Sequence, residues 1–347
     1  MKYSKVQITS LGYELAPVVV TSSELESSLE PLYKALRFAP GQLQALTGIR
    51  ERRWWEPGYP LSRGAAAAGK KALESAGLQP SDLGALVYTG VCREQFEPAT
   101  ACRVAATLGV GGDAAIFDIS NACLGVLNGI LEVANRIELG QIRAGLVVSC
   151  ESAREINDIM IERMLAEKNM ERFASSIATL TGGSGAVAVL LTDGSFAGVQ
   201  GHRLLGGKTQ AAPEHHGLCL WGVAPDGSGR YVQNMSTDAV NVMNYGVELG
   251  RRTWAAFLAE MGWQASAVDR VVCHQVGSAH QSAILKTLGI PVDKDFTTFE
   301  YLGNMGTVSL PLTLAIAAER EEILPGERVG LLGIGSGLNC LMLGVEW

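Results

Sequence analysis

The sequence lacks the features that mark membrane-spanning, secreted and nucleic-acid-binding proteins. No uninterrupted apolar run approaches the roughly 18 residues that are needed to cross a bilayer. The first residues, MKYSKVQITSLGYELAP, do not contain the apolar segment of a signal peptide. The net charge is −7 and there is no long basic run, which argues against nucleic acid as a partner. We therefore expect a cytoplasmic protein with no membrane span.

The cysteine pattern argues against two further kinds of structure. The 7 cysteines are scattered along the chain and never form a CxxC pair. Neither a disulfide framework nor a zinc site is indicated by such a pattern. Charged residues make up only 18% of the chain and hydrophobic residues 47%. We therefore expect a large core in which some helices are buried on most sides.

One cysteine, Cys123, stands between a predicted buried strand at residues 116–119 and a predicted helix at residues 124–138. Unpaired N–H groups and the positive end of the helix dipole meet at such a junction, so we expect the pKa of the Cys123 thiol to be lowered. A free cysteine is often only a small buried hydrophobic residue. A catalytic role therefore depends on partners elsewhere in the chain.

Two polar residues in the second half are suitable partners for a nucleophilic cysteine. His274 directly follows a predicted strand at residues 270–273, and Asn304 precedes a helix that is predicted to start near Thr307. In α/β folds, the C-terminal ends of strands and the N-termini of helices face one crevice. Catalytic cysteines work with a histidine and an amide that are distant in sequence. We therefore predict one site made of Cys123, His274 and Asn304.

Two pairs of similar segments indicate an internal duplication. Residues 77–88 resemble residues 262–273 in the order of glycine, polar residues and a buried strand, and residues 143–153 resemble residues 328–337. Alternating strands and helices could also produce this likeness by chance. A duplication predicts two βαβ-rich halves, residues 1–195 and 196–347, each with a mostly parallel sheet and half of the active site.

Two other stretches are predicted to be loops. The segment LTGIRERRWWEPG at residues 46–58 carries Arg50, Arg52 and Arg53 next to Trp54 and Trp55. Such a cluster could hold phosphates and stack on an adenine ring, but it could also be a solvated loop with aromatic residues packed beneath it. The glycine-rich residues 200–230 are predicted to form a long surface loop.

Six motifs together resemble those of the thiolase superfamily, in its branch of ketoacyl-acyl-carrier-protein synthase III enzymes. They are TGIRER at 47–52, NACLG at 121–125, TGGSGAVAVLL at 181–191, HQVG at 274–277, LGNMGTVSLP at 302–311 and GIGSGLNC at 333–340. The resemblance implies an α/β fold with a duplicated five-layer αβαβα arrangement, in which two mixed sheets enclose buried helices. It also implies a homodimer.

Within that branch the sequence is more similar to the OleA group, which condenses two long-chain acyl-CoAs head to head. The stretch VCREQFEPATA carries Glu97 before Pro98, where ordinary synthases tend to have an apolar residue. In the OleA group such a glutamate reaches across the dimer into the neighbouring active site as a base. Alternatively, Glu97 only caps or pairs at a surface turn.

The resemblance implies a Claisen condensation without decarboxylation, through an acyl group on Cys123, to a 2-alkyl-3-ketoacyl product. Backbone N–H groups of Cys123 and of Ser336 or Gly337 would hold the oxyanion. Coenzyme A would enter only as part of the substrate, and no metal or other cofactor is expected. The residues expected to contact coenzyme A are Arg50, Trp54, Arg251 and Arg252.

Three other functions remain open at this stage. The chain could be a synthase III that uses a malonyl donor in fatty-acid or polyketide synthesis, and Glu97 would then be dispensable. It could transfer the acyl group from Cys123 to an oxygen or nitrogen nucleophile. It could also be a catalytically silent subunit of a heterodimer, although the presence of Cys123, His274 and Asn304 argues against this. Downstream enzymes of olefin or ketone synthesis are further candidate partners.

Overall fold

The computed structural model describes residues 1–225 and 228–347, so residues 226–227 of the predicted loop at 200–230 lie outside it. Within that part of the chain, no helix is both long and apolar enough to cross a membrane. The strands of the described residues are β1 (Gln7–Leu15), β2 (Val18–Thr21), β3 (Glu51–Trp54), β4 (Ala85–Thr89), β5 (Ala115–Ile119), β6 (Ala144–Glu151), β7 (Gly185–Thr192), β8 (His202–Ala211), β9 (Cys219–Pro225), β10 (Tyr231–Thr237), β11 (Arg270–Cys273), β12 (Arg328–Gly335) and β13 (Asn339–Glu346).

The α-helices range from one turn to 23 residues in length. The helices of the described residues are α1 (Ser22–Ser28), α2 (Glu30–Leu36), α3 (Gln42–Thr47), α4 (Leu61–Ala76), α5 (Thr100–Leu108), α6 (Gly125–Glu138), α7 (Arg154–Glu167), α8 (Met170–Ser176), α9 (Ala239–Met261), α10 (Ser278–Leu288), α11 (Phe299–Leu302) and α12 (Ser309–Glu319).

Nine strands are hydrogen-bonded in the order β11-β12-β13-β8-β1-β7-β6-β4-β5. The N-terminal strands form one end of this mixed sheet and the C-terminal strands form the other. The two ends meet between β1 and β8, where only two residue pairs are in register, Gln7 with Arg203 and Ile8 with His202. The two mixed sheets expected from the sequence are therefore joined at a short seam.

The two ends of the sheet repeat one pattern of strands. The run β4-β6-β7-β1 has one parallel pairing followed by two antiparallel pairings, and the run β11-β12-β13-β8 has the same. The matched glycines, Gly77 and Gly262, both end a helix with a left-handed backbone at φ 66° and φ 68°. The fold thus agrees with the predicted duplication. The prediction that each half has a mostly parallel sheet is wrong, because two of the three pairings in each run are antiparallel. The boundary at 195/196, which lies between β7 and β8, stays a prediction.

Among the described strands of the nine-stranded sheet, β5 has no counterpart strand in the second half. In its place, a single parallel bridge joins Val271 of β11 to Asp295. Cys123 follows β5 and precedes α6, while Asn304 follows this bridge and precedes α12. The duplication therefore brings the two residues to corresponding places in the two halves.

The helices form three layers that alternate with the two ends of the sheet. Helices α4 and α5 pack against β1 and β4 to β7, and α9 packs against β8 and β13 with α10 beside it. Helices α6 and α12 lie between, and the largest hydrophobic cluster joins them to strands of both halves. Residues 309–317 of α12 are all buried. This is the five-layer αβαβα order that the sequence predicts.

Two predicted loops are wrong because they contain strands. Residues 51–54 form β3, which pairs antiparallel with β2. Most of the described part of 200–230 forms β8 and β9. The alternation in β8 is hidden by Gly206 and Gly207, which the packing requires. A Cβ atom at Gly206 would lie 2.2 Å from the carbonyl oxygen of Met1, and one at Gly207 2.2 Å from that of Met342.

Candidate active site

Cys123 lies in a tight turn between β5 and α6. The preceding residue, Ala122, has a left-handed backbone at φ 45°, a conformation that costs a non-glycine residue about 1–3 kcal/mol and occurs at functional sites. The helix itself begins only at Gly125. The Cys123 residue is half-buried, so its side chain lies at the inner end of the site rather than on the open surface.

The C-terminal loop packs against this turn. A Cβ atom on Gly335, the last residue of β12, would lie 3.3 Å from the backbone nitrogen of Cys123. The loop is also held by Asn339, whose Nδ2 donates to Asn121 Oδ1 at 3.3 Å. Ser336 and Gly337 follow Gly335 directly, so the predicted oxyanion residues lie beside the nucleophile. Which of their N–H groups meets an oxyanion stays a prediction.

Asn304 is fixed by the backbone around it. Its N–H donates to Thr181 O at 2.9 Å, and its carbonyl accepts from Gly183 N at 2.9 Å. Its side-chain Oδ1 accepts from Gly306 N at 3.1 Å. This arrangement leaves the Nδ2 group as the donor that is available to a ligand.

The turn that carries Asn304 is attached to the helix that follows Cys123. Thr307 Oγ1 accepts a hydrogen bond of 2.7 Å from the backbone N–H of Val126, in the first turn of α6. A Cβ atom on Gly125 would lie 3.2 Å from the same oxygen. The close approach of the two segments brings the Cys123 turn and the Asn304 turn together.

His274 extends the pairing of β11 with β12, since its N–H donates to Leu332 O at 3.0 Å. Its side chain is buried, and Nδ1 has no hydrogen-bond partner among the described residues. Burial, with a smaller contribution from the nearby His280, lowers the pKa of His274 to about 3. The imidazole is therefore neutral at neutral pH and can accept or donate a proton.

The prediction that the pKa of Cys123 is lowered is wrong. Burial raises the pKa of the Cys123 thiol to about 12, with smaller contributions from the Cys219 thiol and the Glu151 carboxylate. A hydrogen bond from its own backbone N–H acts in the opposite direction. Desolvation outweighs the helix N-terminus because a thiolate loses its hydration in the apolar interior. The free enzyme holds a thiol that must lose its proton when substrate binds.

Glu97 lies on the loop between β4 and α5 and is exposed. Among the described residues, its carboxylate has no hydrogen-bond or ion-pair partner. The neighbouring Phe96 is 98% exposed, although the loop is anchored where Glu94 accepts from Ser62 N at 2.8 Å and pairs with Arg103 at 2.8 Å. The loop thus presents Glu97 to the outside and not to Cys123 of its own chain.

The residues expected to contact coenzyme A differ in exposure. Arg50 is exposed and pairs with Glu300 at 3.2 Å. Arg251 and Arg252 are exposed on α9, and Arg251 forms two hydrogen bonds with Glu248, at 2.9 and 2.7 Å. Contacts of these three arginines with substrate phosphates stay predictions.

The prediction that Trp54 contacts coenzyme A does not agree with the structure. Trp54 is only 5% exposed, because alternate residues of β3 face the interior. Its indole N–H donates to Gly182 O at 3.0 Å, and the Arg154 guanidinium lies 5.5 Å from its ring centre. The ring belongs to the core and offers no open face for stacking on an adenine.

Glu151, at the end of β6, is a site residue that sequence reasoning missed. Its side chain is buried, and it accepts hydrogen bonds from the N–H groups of Val91 at 2.9 Å and Cys92 at 3.1 Å. A signal was present, because the residue is the one charge in the strand sequence AGLVVSCE. A carboxylate at the C-terminal end of a fully buried strand points to the crevice where the other site residues lie.

Comparison with known proteins shows the family. A family model of the 3-oxoacyl-[acyl-carrier-protein] synthase III C terminal matches residues 258–347. An acyl-CoA:acyl-CoA alkyltransferase of Shewanella oneidensis is 60% identical over 349 residues, which cover 100% of both chains. One of Xanthomonas campestris is 34% identical over 348 residues, again covering 100% of both.

The solved structures agree with these relatives. A crystal structure of Xanthomonas campestris OleA, with a cysteine-to-serine substitution and with bound lauric acid and lauroyl-CoA, matches at a TM-score of 0.93 and 34% identity. It covers 99% of this chain and 100% of that one. Further structures of that OleA carry substitutions of a glutamate or a histidine. The chain belongs to the OleA family of acyl-CoA:acyl-CoA alkyltransferases, within the ketoacyl-acyl-carrier-protein synthase III branch of the thiolase superfamily.

Proposed function

We propose that this protein condenses two long-chain acyl-CoAs head to head, without decarboxylation, through an acyl group on Cys123. The observation that carries the proposal is the position of Glu97. It precedes Cys123 by 26 residues, and in Xanthomonas campestris OleA the substituted glutamate precedes the substituted cysteine by the same number. Glu97 stands on an anchored loop with its carboxylate exposed.

The chemistry explains why this carboxylate matters. A malonyl donor forms its carbanion by losing carbon dioxide, so it needs no strong base. A plain acyl-CoA has only a weakly acidic α-hydrogen and needs a positioned base. A carboxylate that moves from solvent into an apolar channel becomes more basic, because desolvation raises its pKa. Glu97 can take this role only if a second subunit covers it.

We propose a homodimer in which Glu97 enters the active site of the partner subunit. The edge of the nine-stranded sheet at β5 supports this arrangement, since an unpaired edge strand can bond to a second copy. The strand holds the helix into which the loop leads, because Asp118 of β5 accepts from the backbone N–H groups of Thr100 and Ala101 at the start of α5, at 2.9 Å each. Pairing of two β5 strands would therefore bring each loop towards the other subunit.

In the first half-reaction, Cys123 attacks the thioester carbonyl of one acyl-CoA. The neutral imidazole of His274 takes the thiol proton, and backbone N–H groups near Cys123 and Gly337 stabilise the tetrahedral oxyanion. The carbon–sulfur bond to coenzyme A breaks, and the leaving thiolate receives the proton from His274. The products are an acyl-Cys123 thioester and free coenzyme A.

In the second half-reaction, Glu97 of the partner subunit takes an α-proton from the second acyl-CoA. His274 and the Nδ2 group of Asn304 donate hydrogen bonds to the enolate oxygen. The α-carbon then attacks the acyl-Cys123 carbonyl, a carbon–carbon bond forms, and the carbon–sulfur bond to Cys123 breaks. The proton that Glu97 took returns to the Cys123 thiolate, which restores both groups. The product is a 2-alkyl-3-ketoacyl-CoA, or the free acid if hydrolysis follows.

The reaction balances without a redox cofactor or a metal, so coenzyme A enters only as part of the substrate. We also propose that the enzyme works in the cytoplasm. All seven cysteines have free thiols, which suits a reducing compartment.

The test is to incubate the purified protein with lauroyl-CoA and no malonyl donor. We expect release of coenzyme A and, after decarboxylation of the product, the symmetric ketone. Cys123→Ala should abolish both products, and Glu97→Gln should still form the acyl-enzyme but lose ketone formation by about 10²–10⁴-fold. Glu322→Gln, at an exposed glutamate away from the site, is the matched control. Ketone that appears only after malonyl-CoA is added would refute the proposal and favour an ordinary synthase III.

A further inference from the structure

Glu151 lies where four segments of the active site converge. It ends β6, and around it lie the end of β4, the first turn of α6 and the turn that follows Asn304. A Cβ atom on Gly90 would lie 3.3 Å from Glu151 Oε1, and one on Gly306 would lie 3.5 Å from the same oxygen. These two backbones therefore lie close to the carboxylate, and a methyl group at Gly90 would already be a tight contact.

The carboxylate holds the start of the loop that carries Glu97. The N–H groups of Val91 and Cys92 donate to its two oxygens, at 2.9 and 3.1 Å. These residues follow β4 and begin the loop, six and five residues before Glu97. Both oxygens of one buried side chain therefore fix the direction in which the loop leaves the sheet.

The same carboxylate packs against the turn that follows Asn304. A Cβ atom on Gly306 of this turn would lie 3.5 Å from Glu151 Oε1, and the backbone N–H of Thr307 acts to lower the pKa of Glu151. Thr307 in turn accepts from Val126 N at 2.7 Å. Glu151 is thus connected on one side to the loop of the base and on the other to the turn of Asn304 and the helix of Cys123.

The charge of Glu151 is not neutralised by a cation. Among the described residues, no lysine, arginine or histidine forms an ion pair with it. It accepts from the backbone N–H groups of Val91 and Cys92, and the Cys92 thiol also interacts with it. Burial raises its pKa from the ordinary value, while these hydrogen bonds act in the opposite direction. The titratable groups that face it are Tyr88, Cys92, Cys123 and Cys150. An amide could not make the same link, because it has only one acceptor oxygen and its NH2 group would face the second backbone N–H.

We propose that Glu151 is a positioning residue that sets the Glu97 loop and the Asn304 turn relative to Cys123, so that the second half-reaction has its base and its oxyanion donor in place. This inference rests on the proposed function. It assigns Glu151 to condensation and not to the acylation of Cys123, which needs neither Glu97 nor the loop.

The experiment compares Glu151→Gln with the wild type in the two half-reactions separately. Acylation of Cys123 by lauroyl-CoA is followed by mass spectrometry of the intact protein, and condensation is followed by ketone formation. We expect acylation to change by less than about threefold and condensation to fall about tenfold or more, because misplacement of a catalytic group by a fraction of an ångström has effects of this size.

A third readout is the pH profile of Cys123 alkylation by iodoacetamide, measured by peptide mass spectrometry. The negative charge of Glu151 raises the pKa of Cys123, so its removal should shift the profile to lower pH. Glu151→Asp keeps the charge but shortens the side chain by one methylene. It should leave the alkylation profile in place and still lower condensation, and it preserves the test if the glutamine variant does not fold.

Glu26→Gln is the matched control, because Glu26 is also buried and also accepts two backbone N–H groups, from Gly41 and Leu43 at 2.6 Å each. Glu26 lies in the helical segment formed by α1 and α2. Its substitution should lower stability but should not affect acylation and condensation differently. Equal loss of both half-reactions in Glu151→Gln with an unshifted alkylation profile would overturn the inference, and so would wild-type condensation in either variant. Absence of ketone from the wild type itself would instead refute the proposed function.

Discussion

Thr307 Oγ1 accepts a hydrogen bond of 2.7 Å from the backbone N–H of Val126, and this bond joins the two halves of the active site. Val126 lies in the first turn of α6, where N–H groups have no partner inside the helix. The side chain of a residue from the C-terminal half therefore completes the helix that follows Cys123.

Replacing Thr307 by valine should destabilise the protein and the site together. The change leaves the buried N–H of Val126 without an acceptor, which costs about 1–3 kcal/mol in the free energy of unfolding. Urea denaturation measures this loss, and ketone formation should fall with it. Thr307→Ser keeps the hydroxyl group and should recover most of both properties. Equal stability of the valine and serine variants would show that the hydrogen bond does not contribute to the free energy of unfolding.

Cys123 should react slowly with iodoacetamide in the free enzyme. Because its thiol pKa is raised to about 12, the thiolate fraction stays very small, and the alkylation rate should rise without a plateau from about pH 7 to about pH 10. Cys102 is exposed and serves as the comparison within the same digest, where it should be modified first. Faster modification of Cys123 with a plateau below about pH 8 would mean that the helix N-terminus dominates after all.

Acid should weaken the fold through two histidines, the buried His274 and the half-buried His280. Burial lowers the pKa of His280 to about 4 and that of His274 to about 3. The unfolded chain binds these protons near pH 6.5, so this part of the stability is complete above about pH 6.5 and is lost as the pH falls towards the folded-state values. For His280 alone, the loss between about pH 7.5 and pH 5 is about 1–2 kcal/mol.

The comparison of His280→Gln with the wild type isolates this contribution. Asp295, whose pKa burial raises to about 6, has the opposite pH dependence, but it is present in both proteins and cancels in the difference. Chemical denaturation at the two pH values should show the wild type losing more stability than the variant. A pH-independent difference would contradict the lowered pKa of His280.

Much of the fold could be predicted because buried strands and helix ends carry strong local signals. The strands at Ala85–Thr89 and Arg270–Cys273 have the predicted bounds, since each is a short apolar run that follows a glycine-terminated helix. Strand β8 was missed because its glycines are required by close contacts with backbone segments that are distant in the sequence. Contacts of this kind leave no periodic pattern.

The active site, like the fold, has features that could be predicted from the sequence and features that could not. Cys123, His274 and Asn304 could be found because each stands at the end of a strand or the start of a helix. The direction in which the Cys123 pKa shifts could not be predicted from the sequence, because the burial of Cys123 depends on packing from both halves. Trp54 was misassigned for a related reason, since β3 turns alternate residues inward only after it pairs with β2.

The central claim is that each active site combines Cys123 of one subunit with Glu97 of the other. It is tested most directly by mixing two inactive variants, Cys123→Ala and Glu97→Gln, under conditions in which subunits exchange. A mixed dimer then contains one site with an intact cysteine and an intact glutamate from opposite chains. The account predicts ketone formation at about one quarter of the wild-type rate per subunit, since about half of the dimers are mixed and each has one complete site. If the mixture stays as inactive as its components while exchange is verified by mass spectrometry, Glu97 does not act across the dimer.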